Sequence, residues 1–175
     1  QITLVDQFKS HYYQPGFLFI PFGTYQPEDV KRTIDEFLPK GIQLIREKID
    51  RIDKDTDTVI LENGRNVKYD ILIIATGCKI APEEVPGMKG DTWQKNIFDF
   101  YTFEGSCALA KKLETWPGGK LVVHITEMPI KCPVAPLEFA FLADDYFTKN
   151  ENDSLLRRKK IVIYFFALLL CIAYY

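Results

Sequence analysis

Tyr69-Asp70-Ile71-Leu72-Ile73-Ile74-Ala75-Thr76-Gly77 is the stretch on which the fold turns. Ile71 to Ala75 is apolar at every position, with no alternation of polar residues. A strand without a polar face is one buried on both sides, as in a parallel sheet covered by other layers. It feeds directly into Thr76-Gly77, where a glycine lets the backbone approach another group closely.

Upstream of it the chain reads as a small meander. Ile42, Leu44, Ile49 and Ile52 suggest one long, partly exposed strand, and Asp53 to Asp57 is turn-like. Thr58 to Leu61 is a strand, Asn63-Gly64 is the strongest short hairpin signal, and Arg65 to Tyr69 returns. Further back, Pro27 suits a first helical position, with Glu28 and Asp29 in the first turn. Val30, Ile34, Phe37 and Leu38 then predict a helix that Pro39 to Gly41 ends. Phe8 to Gly23, aromatic and broken by Pro15, Gly16, Pro21 and Gly23, reads as a loop with apolar anchors. Ile2 to Val5 is a β-branched and aliphatic strand closed by Asp6.

Downstream, Pro82, Pro86, Gly87 and Gly90 mark a linker into a second block. A helix is predicted from Phe103 to Trp116, with Ala108, Leu109 and Leu113 on one face, and Pro117-Gly118-Gly119 ends it. Lys120 to Ile125 is a short apolar strand. A loop holding Pro129, Cys132 and Pro133 leads to a helix opened by Pro136. Residues 161 to 175 are almost wholly apolar, but that is shorter than the roughly 20 residues of a standard spanning helix. The favoured reading of Ile161 to Phe166 is therefore the next strand of the sheet, and the last residues are read as further apolar tail or truncation artefact.

The composition bounds the function. The chain has 175 residues, 47% of them hydrophobic and 14% aromatic, with a formal net charge of -2. That balance gives no electrostatic footprint for nucleic acid. The four cysteines at 78, 107, 132 and 171 form no CxxC pair, so neither a zinc ribbon nor a disulfide framework is indicated, and His11 and His124 lack metal-ligand company.

Asp6 stands where a dinucleotide-binding βαβ unit places the acid that accepts hydrogen bonds from ribose hydroxyls. Taken alone, such a residue is more often just a strand-terminating acid. With the meander and the apolar strand ending in Ala75-Thr76-Gly77, however, the order resembles the two-dinucleotide-domain flavoproteins. That resemblance implies FAD, with Asp6 at the ribose, Thr76 and Gly77 packed against the cofactor, and the meander contacting adenine near Ile49.

Lys120 to Ile125 runs into His124-Ile125-Thr126-Glu127-Met128-Pro129-Ile130-Lys131-Cys132-Pro133-Val134-Ala135-Pro136-Leu137-Glu138-Phe139-Ala140, with no glycine between Gly119 and the end of the chain. Backbone without glycine does not readily close around a pyrophosphate, which argues against a nicotinamide site. Cys132 lies just ahead of the Pro136 helix, whose positive end favours the thiolate, and Lys131 adds charge. The bland alternative is a small apolar filler at Cys132 and a solvated acid at Glu138. The segment resembles the C-P-x-A-P-x-E-x-A motif of sulfide:quinone oxidoreductases and flavocytochrome sulfide dehydrogenases, over about Ile2 to Lys149.

The resemblance implies an α/β fold: two interleaved three-layer dinucleotide-binding (Rossmann-like) folds with a small β-meander, truncated at both ends. Residues 1–80 are then a partial FAD-binding domain lacking its first strand and GxGxxG, and 81–160 a second NAD-domain-like fold without nucleotide fingerprint. It also implies that Cys132 takes up sulfide sulfur as a persulfide, that Glu138 accepts a proton, and that electrons pass through FAD to quinone. No metal is called for. The whole enzyme would sit peripherally on a membrane, in a prokaryotic-type setting with the side unassigned and homo-oligomerisation open. This stretch alone is expected to be inactive.

One departure concerns Tyr101-Thr102-Phe103-Glu104, because members often carry Cys where Tyr101 stands. Cys107 reads as structural, while Cys78, directly after the Thr-Gly turn, has no assigned role. The competing readings are another disulfide-reductase-like flavoenzyme, such as a type II NADH dehydrogenase, and a non-catalytic α/β domain.

Overall fold

The computed structural model describes residues 1–126 and 128–149 in full, and the backbone of 160–165. It divides into two units, residues 1–13 with 28–79, and residues 14–27 with 80–175.

The first unit carries β1 (Ile2–Val5), β2 (Ser10–Tyr12), β3 (Lys31–Thr33), β4 (Ile42–Ile45), β5 (Ile49–Asp53), β6 (Thr58–Leu61) and β7 (Asn66–Lys68). β1 and β4 pair in parallel, Ile2 opposite Ile42 and Val5 opposite Ile45. β5, β6 and β7 form the expected antiparallel meander. The turn between β6 and β7 is closed by Gly64 at φ 83°, which an L side chain rarely adopts. Buried Ile45, Val59 and Leu61 join the two sheets, with Val5, Ile49, Val67, Tyr69 and Leu72 packed around them. Burying an aliphatic side chain fully contributes about 1.5–3 kcal/mol, so this cluster is the main glue of the unit.

Three sequence expectations are corrected here. The single long strand from Ile42 to Ile52 is two strands, because the chain leaves the parallel pair after Ile45 and enters the meander at Ile49. Arg46 marks the break, its guanidinium 3.0 Å from Asp35 Oδ2.

The helix expected from Pro27 is a turn, then β3, then a short 3-10 turn over Ile34–Glu36. Positions i and i+4 share a face in a strand as well as in a helix, so the Val30–Ile34 spacing does not separate the two. Both are buried, at 2% and 3% exposure, whereas Phe37, which a helix would also bury, is 49% exposed. The ladder with β2, Ser10 opposite Thr33 and Tyr12 opposite Lys31, decides in favour of the strand.

Ile71 to Ala75 forms no strand: Ile71 and Ile73 are each 84% exposed and Ile74 65%. Only Leu72 reaches the apolar cluster. An all-apolar strand needs hydrogen-bonded neighbours and cover on both faces, and the described residues supply neither.

The second unit begins with a 3-10 segment over Gln14–Phe22, whose Phe17, Leu18 and Ile20 are buried, so the aromatic stretch does anchor as expected. There follow α1 (Phe103–Thr115), β8 (Lys120–Ile125), α2 (Ala135–Lys149) and β9 (Lys160–Phe165). Thr102 caps α1, its Oγ1 accepting from Gly105 N at 3.0 Å. β8 and β9 pair in parallel, Lys120 opposite Lys160 and Ile125 opposite Phe165, so β8-α2-β9 is a strand-helix-strand crossover. Residues 166–175, the rest of the expected apolar tail, lie outside the described residues.

Leu18, Leu109, Leu113, Val123, Phe139, Ala140, Ala143 and Phe147 make the core of this unit. Phe100 stacks on Phe139 at 4.7 Å and 11°, and Phe22 leans on the same ring at 5.1 Å. These contacts fix α2 against the segment leading into α1, and so fix the loop that enters α2. Among the described residues no helix is long and apolar enough to cross a membrane.

Candidate functional site

In the first unit, Asp6 follows the last residue of β1, at the carboxyl end of the parallel pair. Its N–H donates to Ile45 O at 3.1 Å, extending the ladder by one bond. Its Oδ1 accepts from Phe8 N at 2.8 Å, which turns the chain away and leaves the second carboxylate oxygen for another donor. Ile49 opens β5 beside a register shift in the meander and packs on the same apolar cluster as Val5. The structure thus roots the strand preceding Asp6 and the start of β5 in one cluster.

Thr76 and Gly77 lie in exposed, irregular chain, with Gly77 at φ 71° and nothing within 4 Å of where a Cβ would stand. The space a close-approaching group would need is open there. Cys78 is exposed next to it. A recess of about 260 Å³ in this unit, lined by Thr56, Asp57, Lys68, Tyr69 and Asp70, contains none of the predicted site residues.

Cys132 and Glu138 belong to the second unit. Cys132 is exposed in the loop between β8 and α2, and its backbone adopts φ 54°. This is the left-handed region, which costs a residue with a Cβ about 1–2 kcal/mol and is characteristic of functional positions. In a loop without glycine, the cysteine itself takes the conformation glycine would normally provide.

Two donors hold the Cys132 carbonyl: Ala135 N at 3.0 Å, which starts α2, and the phenol of Tyr101 at 3.4 Å. Lys131 next to it is bonded through Nζ to the Gln14 amide oxygen, tying the loop to the 3-10 segment. The Lys131 charge is therefore shared with an amide rather than directed solely at the thiol. Glu138 stands in the first turn of α2, where its charge suits the helix dipole, and its N–H donates to Val134 O at 3.1 Å.

Tyr101 shows that these groups converge. Its phenol is held above the ordinary range, first by partial burial and then by the negative charges of Cys132 and Glu138. The hydroxyl consequently stays protonated and able to donate. Tyr101 was visible in the sequence only as a departure at a position where cysteine is common. Its bond to the Cys132 carbonyl spans 31 residues and had no local signal.

No family model matches the chain. The sulfide-quinone reductase of Aquifex aeolicus (strain VF5) is 31% identical over 144 residues, which cover 81% of this chain and 32% of that protein. The mitochondrial sulfide:quinone oxidoreductase of Dictyostelium discoideum is 26% identical over 153 residues, 85% of this chain and 33% of that protein.

The chain is related to the sulfide:quinone oxidoreductases.

The X-ray structure of the sulfide:quinone oxidoreductase from Aquifex aeolicus superposes with a TM-score of 0.72 at 27% identity, covering 93% of this chain and 37% of that one. The architecture is accordingly Rossmann-like, as the sequence predicts. The chain spans about a third of the length of the sulfide:quinone oxidoreductases it matches.

Proposed function

We propose that this chain contributes to an FAD-dependent sulfide:quinone oxidoreductase, peripherally bound to a membrane, in which it supplies the ribose-binding acid, part of the flavin surround and one redox cysteine. The observation that carries this reading is Cys132: an exposed thiol in a left-handed backbone, at the start of the helix that carries Glu138, in a chain related to sulfide:quinone oxidoreductases.

The residues present fit FAD. Asp6 lies at the carboxyl end of a parallel strand pair with one oxygen unused by Phe8, and Gly77 leaves open space beside its backbone. Asp6 would hold the ribose, Ile49 would line the adenine, and Thr76 with Gly77 would pack near the flavin. Its two domains would be the interleaved three-layer folds that the sequence resemblance implies.

At the second site the Cys132 thiolate and a hydrosulfide ion form an S–S bond, giving a persulfide and releasing one proton and two electrons. Glu138 takes the proton. FAD, when bound, supplies the acceptor for the two electrons and their passage to quinone, which becomes quinol with two protons.

The test is direct. The complete protein, purified yellow, should lose its flavin absorbance on adding sulfide anaerobically and regain it on adding a quinone. Bleaching by NADH alone would favour the type II NADH dehydrogenase reading. A colourless product would favour a non-catalytic domain. Either result overturns the proposal.

A further inference from the structure

The loop that carries Cys132 is held from the side by a residue outside the expected constellation. Tyr101 immediately precedes the cap of α1. The Asp99 carboxylate fixes its backbone by accepting from Tyr101 N at 3.0 Å and Thr102 N at 2.7 Å. Its ring stacks on Phe100 at 5.0 Å and 24°, and Phe100 in turn stacks on Phe139 of α2. The phenol therefore projects from a framework fixed at both ring and backbone, and its hydroxyl reaches the Cys132 carbonyl at 3.4 Å.

That carbonyl belongs to the residue whose backbone is strained. A cysteine at φ 54° relaxes toward the extended region unless its neighbours over-determine it. Ala135 N holds the carbonyl along the chain, and Tyr101 holds it across the unit. Asp99 is committed to the cap and Lys131 to Gln14, so Cys132 and Glu138 are the ionisable groups whose charge the phenol meets.

From this we infer that Tyr101 is a positioning residue for Cys132: its hydroxyl locks the left-handed backbone that keeps the thiol at the start of α2. Its importance to turnover rests on the function proposed above; its effect on the thiol does not. Without the hydroxyl the Cys132 backbone relaxes and the sulfur swings away from the start of α2.

The experiment is alkylation of the full chain by iodoacetamide at neutral pH, with rates at Cys132 and Cys78 read separately by peptide mass spectrometry. Cys78 is exposed in the other unit and serves as the internal reference. Tyr101→Phe keeps the ring stack and removes only the hydroxyl. It should lower the Cys132-to-Cys78 rate ratio about three- to fivefold, the worth of the one hydrogen bond removed. An unchanged ratio in a folded Tyr101→Phe chain overturns the inference.

A second version replaces Tyr101 with 3,5-difluorotyrosine, nearly the same in shape but ionising at lower pH. There the ratio should match the parent while the phenol is protonated and fall as it ionises, because a phenolate cannot donate to a carbonyl. A ratio that ignores this ionisation also overturns the inference, even if the Phe variant fails to fold. Neither measurement needs flavin or sulfide. A chain that passes them but never bleaches with sulfide would refute the proposed function and leave the role of Tyr101 standing.

Discussion

Gly105 lies so close to Asp99 that a Cβ on it would stand 2.3 Å from the Asp99 Oδ2 and 2.7 Å from its carbonyl oxygen. The first turn of α1 thus folds around the residue that holds its cap, Thr102. The Asp99 side chain takes both N–H bonds of the entry, and only a glycine leaves room for it.

Gly105→Ala should therefore destabilise the second unit by about 1–3 kcal/mol, the usual cost of overpacking. Helix propensity alone predicts the opposite, since Ala is better than Gly in a helix interior by about 1 kcal/mol. Denaturant unfolding of parent and variant checks the sign. A stabilised variant would show that Asp99 moves aside freely.

Ser106 is fully buried on the next position of α1, and its Oγ has no hydrogen-bond partner among the described residues. An unmade hydrogen bond at a buried hydroxyl costs about 1–3 kcal/mol, so Ser106→Ala should be neutral or stabilising. A loss of more than about 1 kcal/mol in the unfolding midpoint would reveal a partner for that hydroxyl.

Tyr101 makes stability depend on alkaline pH. Its native phenol holds the proton more tightly than in the unfolded chain, chiefly through burial and then through Cys132 and Glu138. Its contribution is fully present below the unfolded phenol value of about 10 and is lost as pH climbs through the raised native one. Unfolding midpoints measured above that value should fall more steeply for the parent than for Tyr101→Phe. Equal slopes would show that the phenol titrates alike in both states.

Cys132 separates stability from chemistry. Cys132→Gly releases the left-handed strain and Cys132→Ala retains it, so the Gly variant should be the more stable of the two by about 0.5–1 kcal/mol, after allowing for the greater freedom of unfolded glycine. In the complete protein both should lack sulfide-dependent turnover. Retained turnover in either would remove Cys132 from the reaction.

How far the sequence could be read differs between elements for physical reasons. Both helices of the second unit, the Asn63-Gly64 hairpin and the Lys120–Ile125 strand were legible because local patterns specify them. The segment after Pro27 was not, because Val30 and Ile34 suit two periodicities and only the remote Ser10–Tyr12 strand resolves them. Ile71 to Ala75 advertises burial, yet burial depends on partners that a run of apolar residues cannot itself provide. At the candidate site, Cys132 and Glu138 were legible from their resemblance to the C-P-x-A-P-x-E-x-A motif, with the helix start adding support for Cys132 alone. The hydroxyl of Tyr101 was not, since its bond depends on how α1 and α2 pack.

The crossover β8-α2-β9 has one more consequence. Its ladder runs between Lys120–Ile125 and Lys160–Phe165, and the first bonds of α2 are accepted by the backbone carbonyls of Cys132 and Val134, so the framework draws on the backbone of the intervening loop and not on its side chains. The scaffold and the reagent it presents are separable. Substituting the loop's side chains can swap one chemistry for another while the crossover that displays it stays intact.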